Sequence, residues 1–329
     1  MTQSLMALVL SALALSAPTL SVHAQTAPPL VVCMADDNPP LSRVEKGEAR
    51  GLDLRIAQAV ATQLGRPLKV QAFESEFEGD SQLTHEVNAM LSLGLCDAAS
   101  GFPLLSADLG APSRPTARPP GYPGGKRSKR DRPFVPLGTL VASRAYSAAL
   151  LGVVLRDPAQ PLAALTELGE RRLGVLSGTL AGSVALMWRN GALRSRLVSL
   201  SQNEDMLSLM SKDGLKDGSK DGAGPSPQFD AAMMPLALFD GWKLRHPASS
   251  LTAAQWRRPI GVNFGFVTLS GATEVRAAID AAIVRALDGG ANSQMARWAA
   301  EEGMSWAPPI APDVGPGPTI GDLGRLAGD

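Results

Sequence analysis

The sequence has few of the residues on which metal binding and nucleic-acid binding usually depend. Its 329 residues include two cysteines, three histidines and 5% aromatic side chains. The cysteines and histidines lack the spacing of zinc ligands, so we expect neither a metal site nor a bound cofactor. Scarce aromatic side chains argue against a surface that stacks on bases. Lys and Arg together number 31, as do Asp and Glu, so net charge favours neither a nucleic acid nor an anionic membrane as a partner.

Apolar stretches long enough to span a membrane are also missing. The segment LMALVLSALALSA near the N-terminus falls short of the roughly 20 residues that a span needs. Small residues, Val22 and Ala24, occupy the positions expected before a signal-peptidase cleavage site. A membrane anchor is the alternative interpretation of this segment. We predict instead a signal peptide at residues 1–24, export to the periplasm and a mature chain that does not span the membrane.

The two cysteines, Cys33 and Cys96, would meet an oxidising compartment after export. An even number of cysteines there favours a disulfide. A redox-active pair is the alternative, but the Cys-x-x-Cys spacing that lowers a thiol pKa is absent. A bond between them would close a loop of about 64 residues and add on the order of 4 kcal/mol in the chain-entropy model. We therefore predict a structural disulfide.

Strand and helix patterns alternate in the first part of the chain. Short apolar or alternating runs predict strands at residues 29–35, 68–73 and 96–102. Runs with one apolar face predict helices at residues 52–64 and 83–93. The order strand, helix, strand, helix, strand is typical of a parallel sheet covered by helices.

A second set of α/β elements follows. Predicted strands lie at residues 136–143, 171–177, 229–234 and 259–269. Two amphipathic helices, at 274–290 and 292–303, then remain without a sheet of their own, so we expect them to pack on the first unit. The chain would cross between the units at about residues 134–142 and 259–268. The predicted fold class is therefore α/β, with two lobes, each a mostly parallel sheet flanked by helices, and two hinge crossings.

The predicted boundaries place residues 26–137 and 265–307 in lobe 1 and residues 138–264 in lobe 2. Three segments are rich in Pro, Gly or Lys-Asp-Gly triplets and are predicted to be flexible, namely the loops 110–133 and 212–228 and the tail 308–329. The loop 110–133 is basic, and docking of an acidic partner is an alternative role for it. Its GGKRS segment does not match a P-loop, because Pro120 and Arg127 replace the required glycine and hydroxyl residue.

Several segments in order resemble a known family. These are VVCMADDNPPLS, GLDLRIAQAVATQLG, NAMLSLGLCDAASGF, LGVLSGTLAGSVA, FDAAMMP and PIGVNFGFVTL. From about Leu30 to Trp306 the chain resembles the type II periplasmic solute-binding proteins of ABC importers, family 3. Within that family, CMADDNPPLS with GLCDAASGFP looks most like the accessory proteins associated with quinoprotein (PQQ-dependent) alcohol dehydrogenases. That branch also carries a cysteine in each of the two corresponding strands.

The first lobe's contribution to a ligand site is predicted at the end of its first strand. In an open α/β sheet, ligands sit beyond the carboxyl ends of the strands. Asp36, Asp37 and Asn38 lie at such an end, and Pro39–Pro40 restricts the turn that follows. A strand-to-loop turn with solvated acids is the alternative.

The second lobe's contribution is implied by the resemblance. In the family, the glycine-rich turn that opens a helix commonly binds a ligand carboxylate, which implies Ser177, Gly178 and Thr179 here. The same residues would also make an ordinary helix cap. Phe102 and Met234 are predicted to give the pocket apolar walls, although their positions suit a core equally well.

Two departures from the family alter the expected ligand. Amino-acid binders of the family usually carry an arginine just after the third strand, where it clamps the ligand's carboxylate, but here the first arginine after that strand is Arg114, inside the loop. They also carry an aspartate that holds the ligand's ammonium group, and Met234–Pro235 occupy that position here. Burying an amino acid without either partner would cost several kcal/mol, so the pocket is predicted to be less polar than an amino-acid site.

The predicted function is therefore capture of a small solute by a monomeric periplasmic protein that serves an ABC permease. The alternative is a non-catalytic accessory protein that binds or activates a quinoprotein dehydrogenase. Catalysis is a third class, for which Asp37, Asp53 and Glu74 are the candidate acids or bases. We predict no enzyme activity, because Asp53 at a helix start is more simply a partner of the helix dipole.

Overall fold

A computed structural model describes residues 27–74, 82–126, 128–157, 162–211, 229–319 and 325–326. The predicted signal peptide and the predicted loop 212–228 lie outside the described residues. Among the described residues, no helix is both long enough and apolar enough to cross a bilayer.

The described residues form an α/β structure. The strands are β1 (Leu30–Ala35), β2 (Asp37–Asn38), β3 (Ser42–Glu45), β4 (Glu48–Arg50), β5 (Leu68–Phe73), β6 (Ala98–Pro103), β7 (Thr116–Ala117), β8 (Val135–Pro136), β9 (Leu140–Ala142), β10 (Ser147–Leu155), β11 (Leu173–Leu176), β12 (Leu197–Leu200), β13 (Ala231–Pro235) and β14 (Thr252–Leu269). The helices are α1 (Leu52–Leu64), α2 (Leu83–Ser92), α3 (Leu180–Met187), α4 (Met206–Met210), α5 (Leu236–Arg245), α6 (Thr273–Leu287) and α7 (Gln294–Glu301).

The first lobe is built on three parallel strands with β1 in the middle. Leu30 pairs with Leu68 of β5, and Val32 pairs with Ala98 of β6. This confirms the predicted parallel arrangement. It also explains the disulfide between Cys33 and Cys96, which is present as predicted. Cys96 lies just before β6 rather than within it, so the bond joins the central strand to the turn that enters its neighbour.

The second lobe is built on the parallel strands β12, β11 and β13, and it joins the first lobe through one continuous sheet of nine strands. The sequence analysis expected a separate sheet in each lobe. The connection is made by β10 and β14, which pair with each other in an antiparallel direction. At its second-lobe end β10 also pairs with β13, and at its first-lobe end β14 also pairs with β6 and β9.

Two elements of this connection were not assigned from the sequence. Strand β10 begins with two alanines after Ser147, which strands disfavour, and its residues are nearly all buried, so no alternation marks it. Helix α5 has apolar residues around its circumference and lacks a clear amphipathic stripe. Strand β14 begins at Thr252, seven residues before the predicted strand at 259–269, and extends into the second lobe.

The two closing helices pack on the first lobe. Ile279 and Ile283 of α6 and Met295 of α7 belong to one hydrophobic core with Ile56 of α1 and Met34 of β1. The last two helices of the fold therefore complete the lobe that contains β1.

The segments predicted to be flexible are anchored where they are described. In the loop 110–133, β7 pairs with β8, and the buried Arg132 donates from Nε to the carbonyl oxygen of Lys126. In the tail, Gly315 pairs with Leu105, and Leu326 is buried in the second lobe's core. Backbone pairing and burial thus hold the described parts of both segments, for which composition predicted flexibility.

Candidate functional site

The carboxyl ends of the parallel strands in both lobes point toward the same gap. Pro103 at the end of β6 pairs with Phe264 of β14, which pairs with Ser147 of β10. Pro235 at the end of β13 pairs with Leu151 of β10. These two levels are four residue steps apart along β10, which is about 13 Å at the rise of a strand. The strands β10 and β14 form the floor between them.

The first lobe's side of the gap begins directly after β1. Asp36 is half-buried, and its backbone N–H donates to the carbonyl oxygen of Phe73 over 2.9 Å. Burial raises the pKa of the Asp36 carboxyl, and the neighbouring Glu74 carboxylate raises it further. Asn38 lies beside Gly101 of β6, where an added Cβ would stand 3.4 Å from the Asn38 Nδ2 atom. The predicted corner therefore lies at the carboxyl edge of the sheet.

Asp53 stands behind this corner rather than in the gap. Its side chain is fully buried in the first turn of α1, and the Tyr146 hydroxyl donates to its Oδ1 atom over 2.6 Å. Burial raises its pKa to about 7, although the hydrogen bond from Tyr146 opposes this shift. Gly101 has φ of +66°, and a Cβ there would stand 2.9 Å from the Asp53 Oδ2 atom. Asp53 is thus enclosed by the strand end.

The second lobe's side of the gap is the turn between β11 and α3. Ser177 and Gly178 are exposed, and Gly178 has φ of +72°, a conformation that favours glycine. Thr179 caps α3, because its Oγ1 atom accepts a hydrogen bond from the backbone N–H of Gly182. The Gln202 amide donates to the Ser177 carbonyl oxygen over 3.1 Å and fixes the turn from the neighbouring strand end.

The two apolar residues predicted for the pocket lie in hydrophobic cores. Phe102 is 1% exposed and packs in the core that contains the disulfide, whereas Met234 is 7% exposed and packs in a core of the second lobe. The alternation of side chains along β6 and β13 directs both of them into packing. The structure therefore brings neither to the surface of the gap.

Helix α5 of the second lobe lies against the first lobe. The Arg245 guanidinium contacts the Asp37 carboxylate over 3.1 Å. At Gly241, an added Cβ would stand 2.5 Å from the carbonyl oxygen of Pro39, so the helix and the corner touch through backbone atoms. Because α5 was not assigned from the sequence, this contact was missed. A glycine inside a helix is a signal of such close approach.

A buried carboxylate strengthens the same contact. Asp240 of α5 accepts hydrogen bonds from the backbone N–H of Ser305 over 2.6 Å and from the Ser305 hydroxyl over 2.8 Å. Burial raises the pKa of Asp240 to about 6, and the hydrogen bonds from Ser305 oppose this shift. The two lobes are therefore in contact on the side of the gap formed by α5.

The described cavities adjoin this region without filling the gap. One of about 530 Å³ lies at the ends of β1 and β5 and is lined by Asp36, Glu74, Tyr122 and Arg132. A smaller cavity of about 190 Å³ lies between Pro39 and Leu244. In the described part of the chain, no group of three or more His, Cys, Asp or Glu side chains is placed to hold a metal ion.

Comparison with known proteins finds similarity in structure alone. No protein-family model and no curated protein matches the chain. One solved structure that resembles this chain is the second substrate-binding domain of a putative amino acid ABC transporter from Streptococcus pneumoniae. It has 13% sequence identity and a TM-score of 0.53, over 83% of this chain and 99% of that one.

The chain has the two-lobed fold of periplasmic binding proteins. An amino acid ABC transporter substrate-binding protein from Streptococcus pneumoniae, solved with L-arginine bound, matches at 18% identity and a TM-score of 0.42, over 83% of this chain and 94% of that one. An arginine-specific periplasmic binding protein from Salmonella typhimurium matches at 12% identity and a TM-score of 0.41, over 84% of this chain and 99% of that one.

Proposed function

We propose that this protein is exported to the periplasm, where it captures a small solute between its two lobes for an ABC permease. The observation that carries the proposal is the approach of two sets of strand ends, about 13 Å apart, across a floor of two continuous strands. A ligand that contacts both lobes would stabilise their closed arrangement by its greater affinity for that arrangement. The protein would act as a monomer, since one chain supplies both sides of the gap.

The proposed ligand is less polar than a free amino acid. Asp240 and Arg245 are the charged side chains of α5 that contact the first lobe, and each is engaged by a residue of that lobe. A zwitterion in the gap would have to compete with Ser305 for Asp240 and with Asp37 for Arg245. The structural relatives named above bind amino acids or belong to amino acid transporters, so this chain would differ from them in ligand class.

We assign no catalytic role to the three candidate acids. Asp37 contacts Arg245, Asp53 contacts Tyr146, and Glu74 lines a cavity with Asp36. Each candidate has its own set of neighbours, and a general acid–base pair would need two of them to converge on one reacting atom.

A thermal-denaturation screen tests the proposed capture. Amino acids, short alcohols and organic acids would each be added to the purified protein. A ligand at 100 times its Kd adds about 2.7 kcal/mol to the free energy of unfolding, which raises Tm by roughly 4 °C in a protein of this size. Stabilisation by an ordinary α-amino acid would refute the proposed ligand class, and no stabilisation by any solute would refute the capture itself.

A pair of serine variants locates the binding site of any ligand found. Ser177→Ala removes a hydroxyl from the second lobe's side of the gap and should weaken binding by about tenfold if the hydroxyl contacts the ligand. Ser199→Ala changes an exposed serine on the neighbouring strand β12 and should leave binding unchanged. Equal effects of the two substitutions would place the ligand elsewhere.

A second candidate function is that of an accessory to a quinoprotein dehydrogenase. The segments that resemble that branch suggest it, and the contacts of α5 favour it, because Arg245 and Asp240 bridge the lobes through the chain's own groups. In this case the protein would bind the dehydrogenase without capturing a solute. Comigration with the dehydrogenase in size-exclusion chromatography, with no solute detected in the thermal screen, would support this function over the first.

A further inference from the structure

The two strands that form the floor of the gap contain a bulge between the lobes. Ala148 of β10 pairs with Asn263 of β14, and the next pair is Leu150 with Pro259. One residue of β10 therefore lies opposite residues 260–262 of β14. Extra residues of this kind leave the ladder locally unpaired and bend the strand that carries them. Since β10 and β14 join the lobes, a rotation of one lobe against the other is expected to bend them at this bulge.

Gly261 lies in the middle of the bulge, and the C-terminal tail packs directly against it. Its φ of +80° lies in the left-handed region, which favours glycine. A Cβ at Gly261 would stand 3.9 Å from the backbone nitrogen of Pro318, and a Cβ at Gly315 would stand 3.5 Å from the Gly261 carbonyl oxygen. The tail thus covers the backbone of the bulge at van der Waals distance.

The tail reaches the bulge by passing across three neighbouring strands, which stand in the order β10, β14 and β6 in the sheet. Just before the tail, the Ala307 carbonyl oxygen accepts a hydrogen bond from the backbone N–H of Ala148 in β10 over 3.1 Å. Farther along, the Gly315 N–H donates to the Leu104 carbonyl oxygen over 3.2 Å, and the Ser106 N–H donates to the Gly315 carbonyl oxygen over 2.8 Å. Leu104 and Ser106 come shortly after the end of β6. Both ends of the crossing are therefore held by backbone hydrogen bonds.

Asn263 of β14 holds the middle of the crossing. Its side chain is 3% exposed, and its Nδ2 atom donates to the carbonyl oxygens of Ile310, Pro312 and Asp313. Its Oδ1 atom accepts from the backbone N–H of Ile310 over 3.0 Å. The Asp313 carboxylate also forms an ion pair with Arg144, 2.7 Å away, just before β10. A buried amide that is hydrogen-bonded at both of its ends resists release, because an unpaired buried polar group is costly.

Side chains anchor the tail in both lobes. Val314 packs against the first-lobe core that contains the disulfide, and Leu326 is buried in a second-lobe core with Trp256. These two anchors belong to lobes that the bulge connects. A rotation of the lobes about the bulge changes the distance between the anchors, so it must strain the tail or break some of its contacts.

We propose that the tail is a strap that restricts rotation of the lobes about the bulge, and that the lobes move freely only when its contacts with β14 and the end of β6 are broken. The strap rests on the hinge that the proposed function requires, but it does not depend on which ligand binds between the lobes. Breaking of the strap would shift the balance between open and closed arrangements without any change in the residues that face the gap.

Spin-label distance measurements on the full chain, made without added ligand, test this restriction. Gln58→Cys on α1 and Ser195→Cys in the second lobe place labels at exposed positions, and the native cysteines stay in their disulfide. With the tail unchanged, the distances between the labels should form one narrow distribution. Asn263→Ala removes the hydrogen bonds in the middle of the crossing and should broaden the distribution by several ångströms or add a second population.

Two further variants separate release of the strap from a general loss of stability. Asn88→Ala removes a buried asparagine that is bonded to the backbone of Gly138 in the first lobe, and it should leave the distribution narrow. Gly315→Pro removes the N–H that donates to Leu104 and keeps every buried side chain, so it should broaden the distribution even if Asn263→Ala does not fold.

Three results would overturn the strap. These are a narrow distribution in Gly315→Pro, equal broadening by Asn88→Ala, and a broad distribution before any change to the tail. Because no solute is added, the result stands apart from the thermal screen. A screen that finds no ligand would refute solute capture and leave the strap intact, whereas an unchanged distribution would refute the strap and leave solute capture intact.

Discussion

The free energy of unfolding should fall as Asp53 ionises at neutral and alkaline pH. Replacement of Asp53 by asparagine should abolish this fall. The Asp53 carboxyl is fully buried beside the Tyr146 hydroxyl, and burial raises its pKa to about 7. Asparagine has nearly the same shape and can still accept the hydrogen bond from Tyr146. It cannot ionise, so the unfavourable burial of a charge disappears.

The sign and size of the effect follow from the two pKa values. The folded-state pKa of Asp53 is about 7, and the ordinary pKa of an aspartate in an unfolded chain is 3.8. Because the folded-state value is higher, the stability linked to this group is fully present below the unfolded-state pKa. It is lost as the pH rises and reaches its full loss above the folded-state pKa. The separation of about three pH units corresponds to about 4 kcal/mol.

Urea-induced unfolding at pH 5 and pH 8 measures this effect. Between these two pH values, the free energy of unfolding of the wild type should fall by about 3 kcal/mol more than that of Asp53→Asn. Asp240, whose pKa is about 6, titrates in both proteins and cancels in the comparison. Asp288→Asn, at an exposed aspartate, should keep the wild-type pH dependence. Identical pH dependence of wild type and Asp53→Asn would refute the reasoning.

Three further substitutions probe other contacts. Replacing Cys33 and Cys96 by alanine opens a loop with a sequence separation of 63 and should lower the free energy of unfolding by about 4 kcal/mol in urea, whereas a loss below about 1 kcal/mol would contradict a stapling role. Asp240→Ala leaves the Ser305 donors unpaired and weakens the contact between α5 and the first lobe. We therefore expect a larger radius of gyration in small-angle X-ray scattering. An unchanged radius would count against α5 as the contact between the lobes. Asn263→Ala removes donors to three tail carbonyls and should speed proteolysis of the tail, and an unchanged cleavage rate would argue that the tail is held elsewhere.

The elements that sequence predicted well are those whose pattern is local. Strand β1 is a short apolar run that ends at a polar corner, and α1 carries one apolar face and ends at Gly65 in a left-handed conformation. Both patterns depend on residues that are adjacent or one turn apart. The disulfide also followed from composition and the central position of β1.

The elements that sequence missed lack a polar face that would mark their period. Residues of β10 are covered by strands on both edges and by side chains on both faces. Helix α5 has an exposed side, but that side carries apolar residues such as Leu238 and Leu244. A polar–apolar pattern cannot report an element of either kind.

Residues on each side of the candidate site were predicted from the sequence, but the contact between the two sides was not. Asp37 lies at the first corner and Arg245 at the end of α5, with a sequence separation of 208 between them. No local pattern encodes such a contact, which depends on how β10 and β14 bring the lobes together.

The C-terminal tail has a consequence for how the molecule is made. Asn263 in β14 donates to the carbonyl oxygens of Ile310, Pro312 and Asp313, and Leu326 is buried among second-lobe side chains. The tail thus fastens itself across the strands that connect the two halves. A nascent chain, which emerges from its first residue onward, can complete this joint only after Leu326 has been synthesised. The connection between the tail and the two halves should therefore form later than the sheet itself.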